Sequence, residues 1–133
     1  LAVSEEFWQY KRVKVLRVID GDTVELEIDT GFKNKHTDVF RIYGIDAPEI
    51  RGKTKNAGLA AKEFLQEFLK LSELSWVNTF KDKSDKYGRI LVQIFVVDHR
   101  DQQTVQETHR LASIAAVMLK AGHAVPYFGG VRQ

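Results

Sequence analysis

The chain contains no cysteine. Disulfides, thiolate zinc sites and cysteine nucleophiles are therefore excluded, and both oxidising and reducing compartments stay open. No apolar run approaches the ~20 residues of a membrane span, so no membrane partner is expected. The histidines, His36, His99, His109 and His123, are scattered without metal-ligand spacing, which points to surface or supporting roles rather than a zinc centre. A large excess of one sign of charge is also lacking, since 20 Lys and Arg against 18 Asp and Glu leave a net of only +2. No methionine opens the chain and no charged-then-apolar leader follows Leu1. It reads as a processed product or a cut fragment whose compartment is not legible, a secreted or extracytoplasmic one being favoured.

What is present is the composition of one globular domain. With 133 residues, 44% of them hydrophobic, residues 1–133 read as a single unit able to bury roughly 65–70% of its unfolded surface. Positive charge is clustered locally: Lys81, Lys83, Lys86 and Arg89 lie close together, and Arg51, Lys53 and Lys55 follow Glu49. A solvated lysine-rich loop and an anion-binding surface both fit that pattern.

Val13 to Ile19 is rich in β-branched residues and predicts a strand, closed by an Asp20-Gly21 turn. Val24, Leu26 and Ile28 then alternate with Glu25, Glu27 and Asp29, the period of a half-buried strand. Thr30 to Thr37 reads as a loop and Val39 to Ile45 as a third strand, giving an antiparallel meander. Ile50 to Asn56 reads as a mobile basic loop. The spacing of Ala57, Ala60, Ala61, Phe64, Leu65, Phe68 and Leu69 predicts a helix. Trp76 to Phe80 and Ile90 to Val97 predict two further strands. Thr104 to Glu107 has the form of a capping box for a helix ending near Ala121, with Gly122 as its stop. This order, with two or three helices, is that of a β-rich α+β fold, the five-stranded Greek-key barrel known as the OB-fold.

Three stretches carry residues suited to phosphate chemistry. Asp22 is surplus to a turn that Asp20 and Gly21 already satisfy. Asp46-Ala47-Pro48-Glu49 could open a helix; however, Ile50-Arg51-Gly52-Lys53 breaks the helical pattern at once, so two site carboxylates are an equal reading. Arg41 sits among Phe40, Ile42 and Tyr43, where a guanidinium needs a carboxylate or an exposed face. Asp85-Lys86-Tyr87-Gly88-Arg89 makes a tight turn, which accounts for Asp85 and Gly88 but not for Arg89 beside Lys86 and an aromatic ring.

Val18 to Val24, Arg41 to Glu49 and Asp85 to Arg89 together resemble the three signatures of the staphylococcal nuclease (thermonuclease) family, in the same order and with the helix between the second and third. The resemblance covers about residues 12–127 and leaves 1–11 as an N-terminal extension. It implies Ca²⁺ bound by Asp22, Asp46 and the backbone carbonyl of Ala47. It implies Glu49 as general base, Arg41 and Arg89 on the scissile phosphate, and Lys86 and Tyr87 on a terminal phosphate. Tyr127 is a candidate for the base-binding wall. The implied activity is hydrolysis of DNA, RNA or both to 3′-phosphate ends by a monomer. Relatives carry a further helix where this chain stops at Gln133, which suggests a different closure or a shortened chain. The rival expectation is a catalytically inactive OB-type module that binds nucleic acid or protein; such modules tend to lose the charged residues this chain retains.

Overall fold

A computed structural model of the chain describes residues 6–81, 89–98 and 111–128. Its elements are β1 (Trp8–Tyr10), β2 (Val13–Asp20), β3 (Thr23–Gly31), β4 (Asn34–Ile42), β5 (Gly44–Asp46) and a 3-10 turn at Gly52–Thr54. Then follow α1 (Lys55–Leu71), β6 (Ser72–Lys81), β7 (Ile90–Asp98), β8 (Leu111–Ser113), α2 (Ile114–Lys120) and β9 (Val125–Tyr127).

The alternation in β3 is borne out: Val24, Leu26 and Ile28 are buried, whereas Glu25 and Glu27 are only half so. β2, β3 and β4 form the expected antiparallel meander. The second hairpin is tighter than the polar Thr30–Thr37 stretch predicts. Phe32 and Lys33 turn the chain with φ of 56° and 64°, and pairing already resumes at Asn34. Residues 34 to 38 are exposed on both faces, so this part of β4 carries no apolar period to read.

The sheet is mixed and seven-stranded, in the order β1-β6-β7-β4-β3-β2, with β8 on β7. The β4–β7 pairing is parallel and sets Phe40, Arg41 and Ile42 opposite Ile90, Leu91 and Val92. Beyond that point β7 bends away, and β8 pairs with Phe95 to Val97 instead. The strand order is OB-like, but among the described residues the sheet does not close into the expected five-stranded barrel. No ladder joins β2 to β6 among the described residues; β1 instead takes the edge of β6 from Val77 to Thr79. The stretch read as an N-terminal extension thus contributes β1 to the sheet. The seam between β2 and β6 remains an open groove under Gln66, Leu69 and Lys70 of α1.

Helix α1 buries Gly58, Ala61, Leu65 and Phe68, a three-and-four stripe laid over β2 and β6. Ala57 and Ala60, expected on that face, are exposed, and Gly58 takes the place between them. The basic loop from Ile50 to Asn56 is not a loop throughout: it makes the 3-10 turn and enters α1 at Lys55. The core joins that stripe to Val24, Leu26, Phe40, Ile42, Val92 and Ile94 of the sheet. Each such side chain contributes about 1.5–3 kcal/mol when fully buried.

The second helix differs from expectation. The Thr104–Glu107 capping box lies outside the described residues. Leu111–Ser113 is strand, because it has the β7 edge to pair with, and α2 begins only at Ile114. Its cap is Ser113, whose hydroxyl accepts from the Ala116 N–H at 3.3 Å. Gly122, with φ of 78°, stops the helix where the sequence places its end.

Candidate active site

The β2–β3 turn delivers Asp22 to the edge of the core. Gly21 is required there by space rather than by backbone angle: a Cβ on it would lie 2.7 Å from Ala61 Cβ and 2.8 Å from Ala47 Cβ. That close approach packs the turn against both α1 and the chain leaving β5. Asp22 is 6% exposed. Its Oδ2 accepts from the Ala47 N–H at 2.8 Å and its Oδ1 accepts from the Thr23 hydroxyl at 2.9 Å. Asp20 Oδ1 in turn accepts from the Asp22 N–H at 3.1 Å, which holds a second carboxylate beside it. Burial first, and then Asp20, push the Asp22 acid up to about 6; the Ala47 N–H and Thr23 hydroxyl oppose the shift without cancelling it.

Strand register supplies the next partner. Thr23 pairs with Arg41 across β3 and β4, and Gly44, at φ of 92°, then redirects the chain into β5. Arg41 is nearly buried. Its Nη2 donates to the Ile45 carbonyl at 3.2 Å and lies 3.4 Å from Asp46 Oδ1. Its guanidinium also stands 4.7 Å over the Tyr127 ring, brought there by the β5–β9 pairing of Gly44 with Tyr127. Three contacts of different kinds therefore orient one guanidinium before any ligand arrives.

Glu49 follows β5 on an exposed turn whose backbone is fixed from α1. The Thr54 hydroxyl donates to the Glu49 carbonyl at 2.8 Å. Thr54 is the residue preceding α1, yet it makes no side-chain cap there. Gly58 reinforces the hold, since a Cβ on it would lie 2.5 Å from the Glu49 carbonyl oxygen. Arg89 immediately precedes β7, on the strand that runs parallel beside Arg41.

Asp22, Arg41, Ala47, Glu49, Arg89 and Tyr127 line one open cleft of about 710 Å³. Asp46 is joined to it through the Arg41 ion pair and also lines an adjoining recess with His123. Lys86 and Tyr87 lie outside the described residues. The cleft also takes in Asp20, Thr23 and Arg51; by sequence Asp20 belongs to a turn and Arg51 to a basic run, and Thr23 has no assigned role. The density of polar groups in Asp20-Gly21-Asp22-Thr23 was the available signal for the first two. Chemically, the cleft sets guanidinium groups for an anion against oxygen donors for a hard cation, with one exposed carboxylate between them.

A family model described as staphylococcal nuclease homologue matches residues 39–133. It takes in the Arg41–Glu49 and Asp85–Arg89 stretches and begins after Asp22. Micrococcal nuclease of Shigella flexneri is 30% identical over 131 residues, covering 96% of this chain and 64% of its own. Protein ParB of Escherichia coli is 28% identical over 130 residues, 96% of this chain and 63% of its own. An uncharacterized protein of Methanocaldococcus jannaschii is 29% identical over 134 residues, 86% of this chain and 58% of its own. The chain thus spans about three fifths of the length of these curated relatives. On the family match and the micrococcal nuclease alignment, the chain belongs to the staphylococcal nuclease homologue family.

Proposed function

We propose that this domain is a calcium-dependent phosphodiesterase that hydrolyses DNA, RNA or both and leaves 3′-phosphate ends. The observation that carries the reading is the gathering of Asp22, Arg41, Ala47, Glu49 and Arg89 around a single cleft from three distant stretches of sequence.

Calcium fits the donors. Asp22, Asp46 and the Ala47 carbonyl offer oxygen only, and the buried Asp22 beside Asp20 is a carboxylate whose charge a nearby cation would relieve. Among the described residues no three His, Cys, Asp or Glu side chains form a metal-ready group. Such a site offers fewer than the six to eight oxygens calcium takes, leaving places for water and a substrate phosphate. When bound, the ion supplies charge balance at the phosphate as the attacking and leaving oxygens share it.

The protein's own groups account for the rest. Glu49 accepts the proton of the attacking water, a role typically worth ~10²–10⁴ in rate. The water oxygen bonds to phosphorus as the bond to the 5′-oxygen breaks, and that oxygen leaves as a hydroxyl with a proton taken from solvent water in the open cleft. Arg41 and Arg89 donate to the phosphate oxygens, for which a guanidinium fork suits better than an ammonium. Arg41 is preorganised for this, since Ile45, Asp46 and Tyr127 already hold it. Tyr127 would face a base, with Lys86 and Tyr87 on a terminal phosphate of the substrate.

The test is digestion of a single-stranded DNA oligonucleotide in Ca²⁺ and in EDTA, with the product ends identified. Cleavage to 3′-phosphate ends in Ca²⁺ alone is expected. Equal outcomes in the two conditions would remove the metal from the reaction. Salt-sensitive binding without cleavage in any divalent cation would instead support the inactive binding module.

A further inference from the structure

A row of aromatic rings begins at the rim of the cleft and leads away from it. Phe128, the residue after cleft-lining Tyr127, meets Tyr43 edge-on at 5.7 Å between ring centroids. Tyr43 contacts Phe80 at 5.6 Å, and Phe80 contacts Phe7 at 6.0 Å. The rings come from the segment before β1 (Phe7), the β4–β5 junction (Tyr43), β6 (Phe80) and the residue after β9 (Phe128), so the row is a product of the fold and not of one stretch of sequence. It is also not core. Phe7 and Phe128 are each 55% exposed, and Trp8 beside Phe7 is 51% exposed. Tyr43 and Phe80 are half-buried and fix the inner part of the row.

The two end rings keep about half of their surface in solvent although each packs on its inner neighbour. Their neighbours narrow the class of occupant. Arg89 lies in the cleft and Lys81, one residue beyond Phe80, is exposed and registered with Ile90. Cationic groups thus flank an aromatic path continuous with a phosphate-directed cleft. That combination suits a single strand of nucleic acid, whose backbone follows the charge while successive bases lie on π faces.

We propose that Phe128, Tyr43, Phe80 and Phe7 form a stacking path for bases of the single-stranded nucleic acid that flank the nucleotide in the cleft. The proposal rests on the nuclease reading of the cleft for its continuity, but it concerns binding and not chemistry. Its consequence is length-dependent affinity: strands long enough to leave the cleft gain from the path, and a dinucleotide does not.

The test uses the full chain with Phe7→Ala and Phe128→Ala, both at exposed rings, and Phe128→Leu, which keeps apolar volume without a π face. Binding of a labelled oligonucleotide of about eight nucleotides is measured in EDTA, where no cleavage is expected, beside a dinucleotide and an abasic strand of equal length. Each alanine variant is expected to weaken the longer strand by about fivefold or more, the scale of one lost stacked base. Dinucleotide and abasic binding should stay unchanged, with Phe128→Leu behaving as Phe128→Ala. Unchanged affinity for the longer strand, or equal losses on all three ligands, overturns the path. Cleavage assays on the same proteins keep the two readings apart. An uncleaved strand whose binding still falls in the variants retires the nuclease and keeps the path; normal cleavage with variant-insensitive binding does the reverse.

Discussion

Replacing Asp22 by asparagine should make the metal-free protein more stable while abolishing its response to calcium. The carboxyl of Asp22 sits at about 6 in the fold against 3.8 for an ordinary aspartate, with desolvation the main cause. The native state therefore binds this proton more tightly than the unfolded chain does. The associated stability is fully present below pH 4 and is lost as pH rises through about 6. At pH 7 the ionised group costs the fold about 3 kcal/mol relative to its protonated form, from roughly two units at 1.36 kcal/mol each. Asparagine keeps the shape and cannot ionise. Its carbonyl can accept from the Ala47 N–H, and its amide can donate to the Thr23 hydroxyl, which rotates to receive it. In EDTA at pH 7 the variant should gain about 2–3 kcal/mol, or roughly 5–10 °C in melting temperature for a domain of this size. At pH 4 the gain should vanish. Calcium should raise the melting point of the parent protein and leave that of Asp22→Asn unmoved. Thermal melts by circular dichroism across this grid of pH and metal provide the check. A variant that melts at or below the parent at pH 7 without metal would refute the electrostatic argument, and a retained calcium response would refute the ligand assignment.

Glu49→Ala should lower kcat on single-stranded DNA by ~10²–10⁴ with an unchanged melting curve; normal turnover would show that another group takes the proton. Arg41→Lys should lower kcat/KM at least about tenfold, because one ammonium cannot keep the fork geometry toward phosphate while also facing the Ile45 carbonyl, Asp46 and Tyr127. Steady-state kinetics on a short oligonucleotide measure it, and parent-like values would contradict the preorganised role. Gly58→Ala, a change worth up to ~1 kcal/mol of added helix propensity, should instead cost about 1–3 kcal/mol. The new Cβ would lie 2.5 Å from the Glu49 oxygen and 2.9 Å from the Ile50 nitrogen. Urea unfolding gives the sign, and a stabilised variant would mean that the Glu49 turn is not held by α1.

The β-meander and α1 were legible in the sequence because each buries one face, and burial writes its period into the residue order. Where that condition fails, the reading fails with it. The outer half of β4 is exposed on both sides, and a turn made by Phe32 and Lys33 carries no glycine at its two central positions. Leu111–Ser113 is strand because β7 offers it an edge, a long-range cause that a capping signal upstream cannot convey. The pairing of β1 with β6 is likewise a long-range feature that the residues of β1 do not announce. At the site, residue types together with the family resemblance named Asp22, Arg41, Asp46, Glu49 and Arg89 as candidates, and all of these but Asp46 line the cleft. Less visible were the supports: Gly21 as a contact surface, Thr54 and Gly58 holding the Glu49 carbonyl, and Asp20 raising its neighbour. Those roles are set by close approach in space: Gly21 meets Ala47 and Ala61 across the fold, while the Thr54–Glu49, Gly58–Glu49 and Asp20–Asp22 contacts depend on how nearby turns are wound.

Diffraction from crystals grown with Ca²⁺ and a short oligonucleotide made resistant to cleavage at one phosphate would test the convergence most directly. The account predicts one calcium in contact with the Asp22 and Asp46 carboxylates, and the resistant phosphate between that ion and the Arg41 and Arg89 guanidinium groups. A phosphate bound elsewhere, or an ion that shares no carboxylate with Asp22, would contradict it.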